Sequence, residues 1–154
     1  MAITLQVVGI FFNAAIKASP NGDTALNVLQ AAQAQASAGD IPNVSQFNFT
    51  RNADTGSLSS FRAKYESEFN GRETKKAYPP GEYYLAENLN PGPSYTVWQY
   101  YIIDANGKSI SGNGIVYPQN AQVPDGGKLI WRLVTILSGP TAASRAAEKA
   151  LLSS

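Results

Sequence analysis

The sequence predicts an α+β fold, in which a sheet of mostly antiparallel strands packs on one main helix. One segment in the body of the chain, residues 24–37, has apolar residues at helical spacing. Beyond Pro42 nearly every segment reads as a strand, and the clearest is residues 59–69, where apolar and charged side chains alternate. We expect residues 1–138 to form a single domain and residues 139–154 to form a C-terminal helical tail.

The first two elements are predicted from the opening third of the chain. Residues 4–12 are β-branched and aromatic and carry no charge, which is typical of a central strand that is buried on both faces. The helix follows a turn, with Asp23 as its candidate N-cap and Gly39 as the residue that ends it. Its alanine-rich stripe indicates a helix that packs closely on the sheet.

The later segments are predicted to be strands joined by turns. Residues 46–51 and 59–69 are expected to form a hairpin, because the residues between them favour a turn. A tight turn at Asn106-Gly107 ends the most aromatic strand. The remaining strands are expected at residues 79–89, 94–104 and 128–137.

Two missing residue types exclude several chemistries. The chain has no histidine and no cysteine. A Ser-His-Asp triad needs an imidazole, a cysteine nucleophile needs a thiolate, and the usual zinc and copper sites need one of the two. Only metals that prefer oxygen ligands, such as calcium or magnesium, remain compatible, and no motif for them is evident. We therefore predict no metal site, no cofactor and no catalytic residue.

Charge and hydropathy predict a soluble protein. The net charge is +1 and 15% of the residues are charged, against about 25% in a typical domain. A nucleic-acid partner is not expected, because such proteins usually carry a basic excess. No apolar run approaches the roughly 20 residues of a membrane-spanning helix, and no basic residue precedes the first run as in a signal peptide. The compartment stays open.

Aromatic residues on the last strands are the candidate ligand-binding residues. Aromatic rings with polar tips are typical of ligand pockets and interfaces. The alternative is that these residues only fill the core. The strand at residues 96–103 carries large side chains on both sides, so both of its faces must be shielded from water. This favours an aromatic-lined pocket or an oligomer interface on one of the faces. The candidates are Trp98, Tyr100, Tyr101, Tyr117 and Trp131.

Three segments together resemble a known module. They are the helix start at residues 22–29, the strand Trp98-Gln99-Tyr100-Tyr101-Ile102-Ile103 followed by Asn106-Gly107-Lys108, and the closing segment at residues 123–132. In this order they resemble the transcobalamin C-terminal-like β-grasp module, over roughly residues 4–137. The resemblance implies a β-grasp-like sheet and a role in holding a soluble ligand or a partner surface, not in catalysis. The region 51–80 is longer and more charged than that module needs.

These observations predict a non-catalytic ligand-binding or protein-interaction module that uses an aromatic-lined sheet face. We expect its partner to be a small apolar or aromatic ligand, or a second copy of the chain in a homo-oligomer. Two alternatives stay open. One is a cyclase or isomerase that acts on an apolar substrate without histidine or cysteine, and the other is a structural or assembly subunit.

Overall fold

The computed structural model describes residues 2–53, 57–71, 75–88, 94–110 and 117–136. These residues form strands and one helix, in agreement with the predicted α+β class. The predicted helical tail at residues 139–154 lies outside them. The elements are β1 Ala2–Val7, β2 Phe12–Lys17, β3 Asp23–Thr24, α1 Ala25–Ser37, β4 Val44–Arg51, β5 Leu58–Tyr65, β6 Phe69–Asn70, β7 Ala77–Tyr78, β8 Gly81–Ala86, β9 Tyr95–Ile103, β10 Gln122–Val123 and β11 Lys128–Ile136.

The first sheet has four strands in the order β2-β1-β11-β9. β1 runs parallel to β11, and the other neighbours are antiparallel. The central position predicted for the first strand is confirmed for β1. The predicted length is wrong, because residues 4–12 contain a hairpin: β1 ends at Val7, and Gly9 (φ 104°) and Phe11 (φ 62°) turn the chain into β2. This turn could not be predicted from the sequence, because the residues that form it are apolar apart from Gly9.

The second sheet has three strands in the order β4-β5-β8. β4 and β5 form the predicted hairpin, with Phe49 opposite Phe61. β5 ends at Tyr65 and does not continue to residue 69 as predicted. The chain turns there because the Asn43 side chain accepts hydrogen bonds from the backbone and hydroxyl of Ser67, at 2.8 and 2.6 Å.

The N-cap of helix α1 lies one residue later than predicted. The N-cap is Thr24, whose hydroxyl accepts a hydrogen bond from Asn27 N at 3.1 Å. The predicted cap, Asp23, instead accepts hydrogen bonds from Ser19. At the other end Gly39 adopts φ 80° directly after the C-cap, and paired backbone bonds from residues 39 and 40 back to the last turn complete a Schellman motif.

The core lies between the two sheets. Phe12 of the first sheet stacks on Phe47 of the second, with ring centroids 4.4 Å apart. Phe61 of the second sheet contacts Trp98 at 4.7 Å and Trp131 at 5.5 Å. Helix α1 closes one side of this core, packing beside β4 and β2. Within the described ranges, no helix is both long enough and apolar enough to cross a membrane.

Candidate functional site

Three of the five predicted site residues meet in the core. Trp98, Tyr100 and Trp131 are only 7%, 2% and 1% exposed. Tyr100 and Trp131 are directly opposite each other on β9 and β11, with ring centroids 5.0 Å apart. Trp98 and Trp131 pack against Phe61 of the second sheet, so these two rings stabilise the contact between the sheets. A ligand role for them stays a prediction.

The other two predicted residues lie elsewhere. Tyr101 points to the opposite, outer face of the first sheet, beside Ile130, and is half-buried. Tyr117 lies outside the strands and is 44% exposed. The structure therefore separates the five residues into a buried group of three and two single positions.

A second group of aromatic residues, not identified from the sequence, surrounds the turn between β1 and β2. Tyr65 stacks on Phe69 at 4.0 Å, and Phe11 stacks on Tyr78 at 4.3 Å. Tyr83 stands edge-on to Tyr65 and Phe69, at 5.5 and 5.3 Å. These five rings, the aromatic cluster, join the turn to β5, β6, β7 and β8. Sequence patterns did not indicate the cluster, because its members come from four strands and a turn.

An open cleft of about 560 Å³ lies beside the aromatic cluster. Pockets for small molecules usually have about 300–1,000 Å³. One wall is aromatic, with Phe11, Tyr65 and Phe69. Another wall is the segment that connects α1 to β4, residues 40–44, and the third is formed by residues 13–15 of β2.

The wall formed by β2 is an edge of the first sheet. Successive side chains of a strand point to opposite faces, so three consecutive lining residues place the cleft along the strand edge. Thr4 and Val8 donate their backbone N–H groups towards β11. The alternate residues of β1 therefore bond to β2, and the backbone groups of Asn13 and Ala15 point away from β1.

The Gln35 side chain pairs with part of this edge. Its amide accepts a hydrogen bond from Lys17 N at 2.7 Å and donates one to the carbonyl oxygen of Ala15 at 3.4 Å. Among the described residues, the N–H and C=O of Asn13 and the N–H of Ala15 have no hydrogen-bond partner. The side-chain Nδ2 of Asn13 is also buried without a partner.

Two polar side chains of the cleft, Tyr65 and Asn43, already make hydrogen bonds within the protein. The Tyr65 hydroxyl donates to the carbonyl oxygen of Ile10 at 2.7 Å, and burial, together with the nearby Tyr83, raises its pKa. The side chain of Asn43 already accepts hydrogen bonds from Ser67. Asp40 is the one carboxylate among the lining residues and is exposed. No group of three or more acidic side chains in the described part of the chain is arranged to hold a metal ion.

The chain was compared with protein-family models and with curated proteins. No protein-family model matches the chain, and no curated protein matches it.

Proposed function

We propose that this protein is a non-catalytic binding module whose ligand occupies the cleft beside β2. The observation that carries the proposal is the combination, in one open cleft, of an aromatic wall with unpaired backbone groups of a strand edge. A ligand that pairs with these groups exchanges their bonds to water for direct hydrogen bonds, which add modestly to affinity and fix its orientation.

The side-chain chemistry of the cleft supports binding rather than catalysis. A general acid or base must reach the substrate with a pKa near the working pH. The Tyr65 hydroxyl is committed to Ile10, and its raised pKa keeps it neutral. Asp40 is exposed at the rim. The cleft therefore favours the binding module over the alternative of a cyclase or isomerase.

The proposal extends to the finer fold. A β-grasp-like fold is expected to begin with a hairpin followed by a helix. Its last strand is expected to run parallel to the first strand and to lie between that strand and an antiparallel neighbour. The order β2-β1-β11-β9 and the position of α1 support this assignment. The resemblance to the transcobalamin C-terminal-like module belongs to the same proposal, with a ligand-holding role.

Small aromatic probes test the cleft directly. We expect indole and p-cresol, titrated into ¹⁵N-labelled protein, to shift the NMR signals of Asn13, Ala15, Ile41 and Asn70. Phe69→Ala removes a ring from the cleft wall and should weaken this binding by about tenfold or more.

Phe49→Ala is the matched control, because Phe49 is a half-buried ring on β4 that does not line the cleft. It should leave the titration unchanged. Shifts confined to the indole signals of Trp98 and Trp131 would instead favour the predicted site on the sheet face and would contradict the cleft.

The outer face of the first sheet favours a second candidate function, assembly into a homo-oligomer. It carries half-buried apolar side chains from both β9 and β11, although most of the outer face of a monomer's sheet is expected to be polar. These side chains are Val97, Tyr101, Ile103, Ile130 and Val134.

Light scattering coupled to gel filtration tests this assembly. Val134→Lys places a charge on the outer face, and Thr135→Lys places the same charge on the other side of β11, at an exposed position. If the candidate is right, the protein is oligomeric, Val134→Lys converts it to a monomer and Thr135→Lys does not. A wild-type protein that is monomeric at every concentration would rule it out.

A further inference from the structure

We propose that the ligand of the cleft is an extended polypeptide segment of a partner protein, which adds to the edge of β2 as a fifth strand of the first sheet. The inference rests on the proposed function and names the chemical class of the ligand. Exposed strand edges are templates for pairing with another chain, and several peptide-binding domains recognise their targets in this way.

The pattern of unpaired backbone groups fits a strand. From Asn13 to Ala15 the edge presents a donor, an acceptor and a donor in a row. An extended peptide presents the complementary acceptor, donor and acceptor, because every second residue of a strand directs both its N–H and its C=O to the same side. The rise along a strand, about 3.3 Å per residue, gives both chains the same spacing.

Gln35 indicates that this edge binds amide groups. Its side-chain amide accepts from Lys17 N and donates to the Ala15 carbonyl, which are bonds that a C=O and an N–H group of a neighbouring strand would make. The amide occupies the next pairing position along β2. An incoming segment would therefore pair from the turn at Phe11 as far as Ala15 and end at Gln35.

The lining of the cleft defines the side chains of the partner. Alternate side chains of an added strand would meet the rings of Phe11 and Phe69, which favour an aromatic or large aliphatic residue. Asp40 lines the cleft, and Glu66 and Glu68 are exposed in the turn between the lining residues Tyr65 and Phe69. The lining residues include no lysine or arginine, so the charges favour a neutral or basic segment.

The test starts from selected peptides. A phage-displayed library of seven-residue segments is selected on the full chain, and the best segment is synthesised with a single backbone N-methyl group at each position in turn. We expect the affinity to fall by about tenfold or more at every second position, and to change little at the positions between, because only alternate N–H groups would face β2.

Two variants test the protein side. Ala15→Pro removes an N–H that points away from β1, so no bond within the sheet is lost, and peptide binding should fall by about tenfold or more. Ala15→Ser keeps the N–H and should bind as the wild type does. If Ala15→Pro does not fold, the N-methyl series on the unaltered protein decides.

The outcomes separate this inference from the proposed function. If indole binds in the cleft but no peptide is selected, or the N-methyl series shows no two-residue period, the strand addition is wrong and the cleft stands. If neither indole nor a peptide shifts the cleft signals, both are wrong. A synthetic peptide of residues 137–154 that binds at Asn13 and Ala15 would assign the occupant to this chain and overturn the partner segment.

Discussion

The side chain of Tyr65 connects β5 to β6 and to the turn between β1 and β2. Its ring stacks on Phe69 and its hydroxyl donates to Ile10 in the turn between β1 and β2. Phe11 follows Ile10 with a positive φ of 62°, which is unusual for a bulky residue and is maintained only where the surroundings determine it. The Tyr65 hydrogen bond therefore helps to hold the ring of Phe11 at the wall of the cleft.

Removing this hydroxyl should destabilise the protein. We expect Tyr65→Phe to lower the free energy of unfolding by about 1–2 kcal/mol, because the buried carbonyl of Ile10 loses its partner. Urea denaturation measures the loss. Tyr84→Phe is the matched control, since Tyr84 is 55% exposed and should change stability by less than about 0.5 kcal/mol. Equal stability of both variants would mean that the hydroxyl contributes nothing.

The same residue predicts how stability depends on pH. Burial, followed by the effect of Tyr83, raises the pKa of Tyr65 above its ordinary value of 10.0. The folded state then holds the phenol proton more tightly than the unfolded state does, so this contribution is complete below pH 10 and is lost as the pH rises further. The melting temperature should fall from pH 9 to pH 11.

Tyr65→Phe serves as the comparison for this pH dependence. Between pH 9 and pH 11, the melting temperature of the variant should decrease less than that of the wild type. Some decrease should remain, because burial also raises the pKa of Tyr100. Identical slopes for the two proteins would contradict a role of Tyr65.

At the scale of elements, two glycines flank α1 with nearly the same backbone conformation. Gly22 has φ +82° and Gly39 has φ +80°. A Cβ at Gly22 would collide with the carbonyl oxygen of Val123 in β10, whereas a Cβ at Gly39 would meet nothing within 4 Å. Gly22 therefore lets the start of the helix approach β10, and Gly39 only ends the helix.

Alanine substitution separates these two roles. Gly39→Ala should lower the free energy of unfolding by about 1–2 kcal/mol, the cost of a left-handed conformation for a residue with a Cβ. Gly22→Ala should cost about 1–3 kcal/mol more, because β10 must also move. Chemical denaturation compares the two, and equal losses would show that the contact with Val123 relaxes freely.

Local patterns predicted α1 and the longer strands, but not β2 or the two-residue strands β3, β6, β7 and β10. The pairing of β4 with β5, the helix with Gly39 at its end, and the turn at Asn106-Gly107 all follow from residues close together in the sequence. The hairpin of β1 and β2 was missed because an apolar run predicts a strand whether or not it turns. The early end of β5 was missed because it depends on Asn43, which is 24 residues away from Ser67.

At the scale of the whole molecule, Phe61 joins the two sheets. It packs against Trp98 and Trp131 of the first sheet and lies 6.0 Å from Phe47 of its own. These are the two tryptophans of the chain. Their fluorescence therefore reports on the contact between the sheets.

Truncation of this ring should destabilise the whole fold. We expect Phe61→Ala to cost about 3–5 kcal/mol, and Phe61→Leu, which keeps most of the volume, about 1.5 kcal/mol or less. Phe49→Ala, at a half-buried ring on β4, should cost less than Phe61→Ala. Denaturation followed by tryptophan fluorescence gives these values, and equal losses for the two alanine variants would contradict the joining role of Phe61.

Local periodicity and residue type were enough to predict the α+β class, α1 and the longer strands, and to exclude histidine and cysteine chemistry. Which aromatic residues share a cleft depends instead on how the strands pair and pack. Trp131 and Phe69 are both large aromatic residues in the sequence, yet strand pairing buries the first between two sheets and places the second on the wall of a cleft. Sequence patterns are local, whereas a cleft is formed by residues that are distant along the chain.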